Sequence, residues 1–272
     1  MLKRTLTALG LAVIGLPAII YGGVFYFLLM GIVLAGSAWE YVRLFRAVRS
    51  EPNEIVTIGG VLVIATARFF FDEAAIPLFV VFVLLAMAVH VLAYERGRDQ
   101  APLDFAVTVA GIVYLGWLGA YLLDLRQLPQ GAWWLMLVLP IIWGGDIGAY
   151  SIGSAYGKHK MTPRLSPKKS WEGYVAGLLT SILVGAFFSY AFSSLGPQPL
   201  EGLMTPLQGG MLGLVIGALA PIGDLGESMF KRQGGLKDSS NVFPGHGGFF
   251  DRIDSWIWGA ALGYFLIQIF IL

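Results

Sequence analysis

The run Ile76–Ala93, IPLFVVFVLLAMAVHVLA, has no charged side chain along its whole length. About 20 consecutive apolar residues are enough for a helix to cross the hydrocarbon core of a bilayer, so this run predicts a transmembrane helix. Leu6–Tyr21 is a second run of this kind. Hydrophobic residues make up 57% of the chain, charged residues make up 13%, and the mean hydropathy is +0.73. These values predict an integral membrane protein and exclude a soluble globular domain.

Similar apolar runs on both sides of Ile76–Ala93 predict an all-α polytopic membrane protein with about nine transmembrane helices, some of them kinked or broken. The expected spans are 5–21, 24–45, 55–71, 76–94, 103–123, 133–156, 171–192, 207–230 and 252–272. Lys3 and Arg4 before the first span resemble the start of a secretory signal, but no cleavage site follows promptly, and we expect an uncleaved helix. Pro140, Gly144 and Gly145 predict that the sixth span is kinked or broken, and the Gly-rich eighth span contains Pro221.

The basic residues predict the orientation of these spans. With nine crossings, all of the 18 lysines and arginines except Arg68 and Arg126 fall on one side of the membrane. By the positive-inside rule this side is cytoplasmic, which predicts a cytoplasmic N-terminus. The basic residues are spread over many loops and form no single patch, so we expect no nucleic-acid partner. The chain has no cysteine, which excludes disulfides, cysteine zinc sites and thiol nucleophiles.

The positions of the polar motifs divide the chain into two parts. Residues 1–139 hold about five transmembrane helices, and their loops are poor in motifs. Residues 140–272 form a C-terminal catalytic transmembrane region with two large cytoplasmic loops. We therefore expect the chemistry of the protein in this second part.

Five acidic residues lie inside or beside the apolar spans of the C-terminal region, where a charge is costly unless it faces a cavity, a partner or a metal. They are Asp146, Asp224, Glu227, Asp251 and Asp254. Asp224 and Glu227 are three residues apart, as are Asp251 and Asp254, so each pair shares a helix face. Carboxylates that converge in this way suit Mg²⁺. Ion pairs with neighbouring Lys or Arg, or helix caps, are the alternative interpretation.

Other titratable residues in or near the apolar spans have a simpler interpretation. Glu40, Glu95 and Asp124 lie near predicted helix ends among basic or polar neighbours, and we expect them to be solvated. His90 lies inside an apolar helix without a visible partner, and we interpret it as structural. None of the four is expected in the site.

Two stretches offer the cations and backbone N–H groups that phosphate binding requires. One is the turn Pro244–Gly248, PGHGG, in which His246 is expected to be a phosphate donor or a proton handler. The other is the basic loop Gly157–Gly173, GKHKMTPRLSPKKSWEG, which alone is equally typical of a positive-inside signal or of contact with anionic lipid. Combined with the acids, they predict a metal-dependent enzyme that acts on a phosphate-bearing lipid at the cytoplasmic face, together with a nucleoside triphosphate or similar anion.

The stretch Ser228–Asp254, SMFKRQGGLKDSSNVFPGHGGFFDRID, carries most of this polar chemistry. It resembles the signature of the CDP-diacylglycerol synthases, also called phosphatidate cytidylyltransferases. The spacing is intact at Ser228, Lys231, Arg232, Lys237, Asp238, Pro244, His246, Gly247, Gly248, Asp251, Arg252, Ile253 and Asp254. Residues 146–150 and the segment Ser166–Gly173 are similar to that family as well, and the length and nine-helix layout extend the resemblance to the whole chain.

The resemblance implies transfer of a cytidylyl group from CTP to phosphatidic acid, which gives CDP-diacylglycerol and pyrophosphate for phospholipid biosynthesis. It implies Mg²⁺ as cofactor, with a second metal ion or K⁺ left open. It also implies a homodimer among the lipids of the bacterial cytoplasmic (inner) membrane, with the active site facing the cytoplasm. The metal ligands that the resemblance implies are Asp224, Asp251, Asp254 and Asp146.

A mechanism follows as a hypothesis. A phosphate oxygen of phosphatidic acid attacks the α-phosphorus of CTP, and cations offset the repulsion between the two anions. The expected catalytic residues are Asp224, Asp251, Lys237 and His246. The expected phosphate-binding residues are Lys168, Lys169, Ser170, Lys231, Arg232, Gly247, Gly248 and Arg252. Two alternatives stay open: a CTP-dependent polyisoprenol kinase and, in a different class, a cation-coupled membrane transporter that uses the intramembrane acids.

Overall fold

The computed structural model of the chain describes residues 2–195, 204–243, 245 and 247–272. The chain divides into two compact units. The first unit consists of Met1–Asp124 and Phe230–Ile253, and the second of Leu125–Met229 and Asp254–Leu272. This division follows packing, whereas the sequence division at residue 140 follows motifs and stays a prediction.

The first unit is built from the N-terminal helices. They are α1 (Leu2–Tyr21), α2 (Gly23–Arg46), α3 (Glu54–Phe70), α4 (Asp72–Glu95) and α5 (Ala101–Gly111). After α5 the chain continues as a π-helical segment, Ile112–Leu118, and then as α6 (Tyr121–Gln127). An apolar core joins α3, α4 and the π-helical segment through Val56, Ile64, Ala86 and Ile112. Burial of these side chains holds the helices together where no loop connects them.

The second unit is built mainly from α7 (Gly131–Tyr156), α8 (Trp171–Leu195) and α9 (Pro206–Leu219). Two further helices, α10 (Pro221–Gln233) and α11 (Phe250–Phe270), contribute residues to both units. Between α7 and α8, part of the basic loop forms an antiparallel hairpin of β1 (Lys160–Thr162) and β2 (Ser166–Ser170). The sequence analysis predicted only a loop at this place.

All nine predicted spans are helical in the part of the chain that the structure describes. Seven helical spans in this described part are long and apolar enough to cross a membrane. The part Gly10–Tyr21 of α1 is a shorter apolar helix. On α4, the side chains of Ile76, Leu84 and Leu92 are more than half exposed. Exposed apolar surface of this extent is favourable against lipid and unfavourable against water. The chain is therefore an all-α polytopic membrane protein, and its orientation stays a prediction.

The helix interruptions occur at only one of the two predicted prolines. Leu219 ends α9 and Pro221 begins α10, a first-turn position where a missing N–H costs nothing. In contrast, α7 runs without interruption through Pro140, so the sixth span is not broken there, and the kink stays a prediction. The unpredicted interruption is the π-helical segment after α5. In α5, shortly before this segment, the carbonyl of Val107 accepts a hydrogen bond from the hydroxyl of Tyr41 (3.0 Å).

Glycines set the distance between the helices of the second unit. A Cβ atom on Gly177 of α8 would contact the carbonyl oxygen of Gly145 on α7. Between α8 and α9, a Cβ on Gly185 would overlap the carbonyl oxygen of Gly209. Backbones therefore approach each other directly, as is common where small residues face one another between membrane helices.

An ion pair is buried in the first unit near the end of its helical core. Arg68 of α3 pairs with Asp124 of α6, and both side chains are about nine-tenths buried. The Arg68 guanidinium also lies over the rings of Trp117 and Tyr121, at 5.1 and 4.1 Å from their centroids. The expectation that Asp124 is solvated is therefore wrong. Glu95 is exposed, and His90 is buried with its Nε2 atom 2.9 Å from the Thr108 hydroxyl, which agrees with a structural role.

Candidate active site

The second unit encloses a cavity of about 510 Å³ that is lined by α7, α8, α9 and the hairpin. Six glycines line it: Gly145, Gly153, Gly157, Gly173, Gly177 and Gly217. Three lysines of the hairpin region line it as well: Lys160, Lys168 and Lys169. A cavity with helical apolar walls and three cations suits an anionic group that is attached to an apolar one. Lys160 was not among the predicted phosphate-binding residues, whereas Lys168 and Lys169 were.

Ser170 has a structural role in addition to its position on the cavity wall. It is 3% exposed, and its hydroxyl accepts a hydrogen bond from the backbone N–H of Gly173 (3.2 Å). This contact satisfies one of the free N–H groups at the start of α8. The hydroxyl therefore fixes the junction between the hairpin and the helix.

Three carboxylates of the second unit converge beside this region. Asp224 and Glu227 lie three residues apart on α10, as their spacing predicted, and Asp254 joins them from α11. One oxygen atom from each lies within 4.8 Å of the others. Glu227 is completely buried, and Lys169 forms an ion pair with Asp224. The pair links the carboxylate group to the lysines of the cavity wall.

These three carboxylates fit a hard divalent cation. Mg²⁺ prefers carboxylate oxygens, and close carboxylates repel each other unless a cation compensates their charge. The structure thus brings two of the predicted metal ligands, Asp224 and Asp254, together with Glu227, which the sequence analysis had noted for its spacing but not assigned as a ligand. Asp146, the third predicted ligand in this unit, is exposed on the cavity wall and is not a member of the group.

In the first unit, Asp251 organises the loop that joins α10 to α11. Its Oδ1 atom accepts from Nζ of Lys231 (2.5 Å), and both side chains are more than nine-tenths buried. Its Oδ2 atom accepts from the backbone N–H groups of Ser239 and Gly248, both at 2.9 Å. The Ser239 hydroxyl lies 2.7 Å from the same oxygen. The carboxylate of Asp251 is therefore engaged with protein donors on both oxygens.

Glu40 of α2 is the residue that the sequence analysis missed. Its side chain is completely buried, so the expectation that it is solvated is wrong. Its carboxylate accepts from the hydroxyls of Ser239 (2.8 Å) and Ser240 (2.5 Å). It also accepts from the backbone N–H groups of Phe249 (3.0 Å) and Phe250 (2.8 Å) at the start of α11. An acid inside an apolar helix was the available signal, but the serines that bind it lie about 200 residues further along the chain.

The two consecutive glycines of the signature are explained by these carboxylates. Gly247 has a positive φ of 78°, and a Cβ atom there would overlap the carboxylate of Asp251. A Cβ atom on Gly248 would overlap the carboxylate of Glu40. The backbone thus approaches both acids at distances that only glycine permits.

The other predicted residues of this loop have the following positions. Arg232 donates from Nη1 to the carbonyl of Leu236 (3.0 Å), which closes the end of α10. Lys237 is exposed, and Arg252 is partly buried in the first turn of α11. His246 lies outside the described residues, so its assignment stays a prediction.

The sequence of the chain matches the Cytidylyltransferase family over residues 2–270, and the chain belongs to that family. The class that the fold and the site define is thus a membrane-embedded nucleotidyltransferase. Curated relatives include the phosphatidate cytidylyltransferase of Pseudomonas aeruginosa, which is 38% identical over 93% of this chain and 92% of the relative. The phosphatidate cytidylyltransferase of Bacillus subtilis is 30% identical over 99% of this chain and 98% of the relative. That of Haemophilus influenzae is 44% identical over 46% of this chain and 42% of its own.

Proposed function

We propose that this chain is a phosphatidate cytidylyltransferase. It transfers the cytidylyl group of CTP to phosphatidic acid and produces CDP-diacylglycerol and pyrophosphate. The observation that carries the proposal is the cavity of the second unit, where three lysines lie on the wall and Lys169 pairs with an acid of the three-carboxylate group. Two relatives are named for this activity, and the match covers 92% and 98% of their length. They support the choice of substrates.

The reaction needs cations more than it needs a strong base. An oxygen of the phosphatidate phosphate forms a bond to the α-phosphorus of CTP. The bond between the α-phosphorus and the oxygen that bridges the α- and β-phosphates breaks. Pyrophosphate leaves with this bridging oxygen and the electron pair of the broken bond. The attacking oxygen is already ionised near neutral pH, so the main barrier is repulsion between two anions. Lys160, Lys168 and Lys169 offset this repulsion from the cavity wall.

We propose Mg²⁺ as the cofactor, held by Asp224, Glu227 and Asp254. When bound, it supplies positive charge that stabilises the phosphate oxygens as charge builds up on the leaving group. Asp251 stays a candidate ligand on sequence grounds. Its contacts in the first unit assign it a further role, which is to hold the loop before α11.

The location of the protein is part of the same proposal. The lysines and arginines of the loops favour a cytoplasmic active site in the cytoplasmic membrane of a bacterium. The bacterial origin of the relatives supports this placement. A homodimer is proposed on the family resemblance alone.

The test is a transfer assay with the purified protein, phosphatidic acid in mixed micelles, Mg²⁺ and CTP labelled at one phosphate. Label at the α-phosphate should enter the lipid, and label at the γ-phosphate should not. Asp224→Asn should lower turnover by about two orders of magnitude or more. Asp99→Asn, at an exposed loop position, is the matched control and should keep wild-type turnover.

Three outcomes would contradict the proposal. Transfer of the γ-label to lipid would identify a kinase. Solute flux in liposomes without pyrophosphate release would identify a transporter. Near-normal turnover of the Asp224→Asn variant would remove the proposed carboxylate site, because charge on that residue would then be dispensable.

A further inference from the structure

A second cavity, of about 670 Å³, lies in the first unit where α2 and α4 end. The end of α2 and the two loops that follow α2 and α4 contribute four arginines to its lining, namely Arg46, Arg49, Arg96 and Arg98. We call it the arginine cavity. None of these arginines belongs to the signature or to the proposed transfer site.

A buried acid fixes the geometry of the arginine cavity. Asp104, which is 1% exposed, accepts from Nε of Arg98 (2.8 Å), from the hydroxyl of Ser50 (2.8 Å) and from the backbone N–H of Glu51 (2.7 Å). The Asp104 hydrogen bond raises the pKa of Arg98, whose guanidinium is protonated in any case. The Arg98 side chain is thereby held in one position on the cavity wall. It extends from the loop after α4 to the loop after α2.

The backbone at Arg49 is strained in a way that serves the same arrangement. Arg49 has a positive φ of 66°, which is uncommon for any residue with a side chain. The Arg98 guanidinium donates to the Arg49 carbonyl (2.6 Å) and stabilises this conformation. The two loops are therefore tied together by a contact from one arginine to the backbone of another.

The charges of the cavity are not balanced by its own acids. Arg46 pairs with Glu54 (2.6 Å), and Arg98 pairs with Asp104 and with Glu51 (3.4 Å). Arg49 and Arg96 are exposed and form no ion pair within the described part of the chain. Two guanidinium groups are thus available for an anion. The planar guanidinium presents paired donors that match two oxygens of one phosphate group.

Basic loops at a membrane surface are common, and most contact lipid headgroups without a defined site. Here a cavity is present, a buried carboxylate fixes its wall, and a strained residue persists in it. Val89 and Ala93 of α4 add apolar surface to the lining. We propose that the arginine cavity is a binding site for a phosphate group, carried by an anionic phospholipid or by a soluble phosphate compound.

The experiment measures binding to the full-length protein in detergent, independently of turnover. The probes are short-chain phosphatidylglycerol, short-chain phosphatidylcholine and inorganic phosphate. The double variant Arg49→Gln/Arg96→Gln removes both available charges at exposed positions, and Arg43→Gln, exposed on α2 and not among the residues that line the cavity, is the matched control. Binding of phosphatidylglycerol should weaken about tenfold or more in the double variant and should be unchanged in the control.

The two sources of the phosphate group are distinguished by competition. Inorganic phosphate that displaces phosphatidylglycerol at comparable concentration indicates a soluble ligand, and its failure to do so indicates a lipid; both outcomes support a phosphate site. Equal binding of phosphatidylglycerol by the wild type and the double variant overturns it, as does the absence of binding by the wild type. The single variant Arg96→Gln repeats the comparison if the double variant is unstable.

Discussion

Replacement of Glu40 by glutamine tests whether this buried acid positions the loop between α10 and α11. The carboxylate accepts four hydrogen bonds, two on each oxygen, and each oxygen serves one serine hydroxyl and one backbone N–H. Glutamine replaces one oxygen by an NH₂ group of nearly the same size. A serine hydroxyl can reverse and accept from that group, but a backbone N–H cannot. The variant therefore leaves one buried N–H, of Phe249 or of Phe250, facing another donor.

The size of the effect follows from this single unpaired donor. A buried donor without an acceptor costs about 1–3 kcal/mol, which corresponds to about a 5- to 150-fold change in an equilibrium constant. Because the contact closes a local loop, we expect most of the cost to appear as local opening. The backbone amides of Phe249 and Phe250 should exchange with deuterium faster by about this factor. Ser239 shares its hydroxyl between Glu40 and Asp251, so its amide should lose protection too.

Hydrogen exchange by mass spectrometry on the detergent-solubilised protein measures the exchange rates of these loop amides. Turnover of the transfer reaction is measured on the same samples. Turnover should fall with loop protection. Glu95→Gln, at the exposed end of α4, makes the same chemical change without a buried partner and should alter neither quantity. Wild-type exchange around residues 247–250 in the Glu40→Gln variant would refute the positioning role. So would normal turnover with an opened loop.

Two further predictions concern close contacts of the first unit. Gly248→Ala places a methyl group against the carboxylate of Glu40, and the overpacking should cost about 1–3 kcal/mol. Turnover and loop protection should fall together. Full activity with an unchanged melting temperature would contradict this prediction. Asp124→Asn leaves the buried charge of Arg68 unpaired and should destabilise the protein by about 3–5 kcal/mol in denaturant unfolding. Asp99→Asn, at an exposed loop position, is the control, and equal stability of the two variants would show that the ion pair contributes nothing.

The helices could be predicted from sequence because hydrocarbon forces every backbone polar group into an internal hydrogen bond. A long apolar run has no alternative to a helix, and the nine runs are helical for that reason. The course of the helix at each proline could not be predicted in this way. Pro140 is accommodated within a continuous α7, whereas Pro221 begins a new helix.

The site could be predicted where its residues are neighbours in the chain, and not where they are distant. The spacing of Asp224 and Glu227 gave their shared helix face correctly, and Lys160, Lys168 and Lys169 of the basic loop line a cavity. Glu40 was misassigned because a position near a helix end is usually solvated, and its serine partners come from the far end of the chain. Long-range pairing of this kind leaves no trace in local periodicity.

The glycine contacts of the second unit have a consequence for the size of the transfer cavity. Its wall between α7 and α8 includes Gly145 and Gly177, where main chain meets main chain. Side chains can change rotamer to make room for a larger or smaller ligand. Two backbones in van der Waals contact cannot adjust in this way. The distance between α7 and α8 is therefore fixed at this part of the cavity wall. Differences in acyl chains would have to be accommodated elsewhere, along surfaces that side chains define.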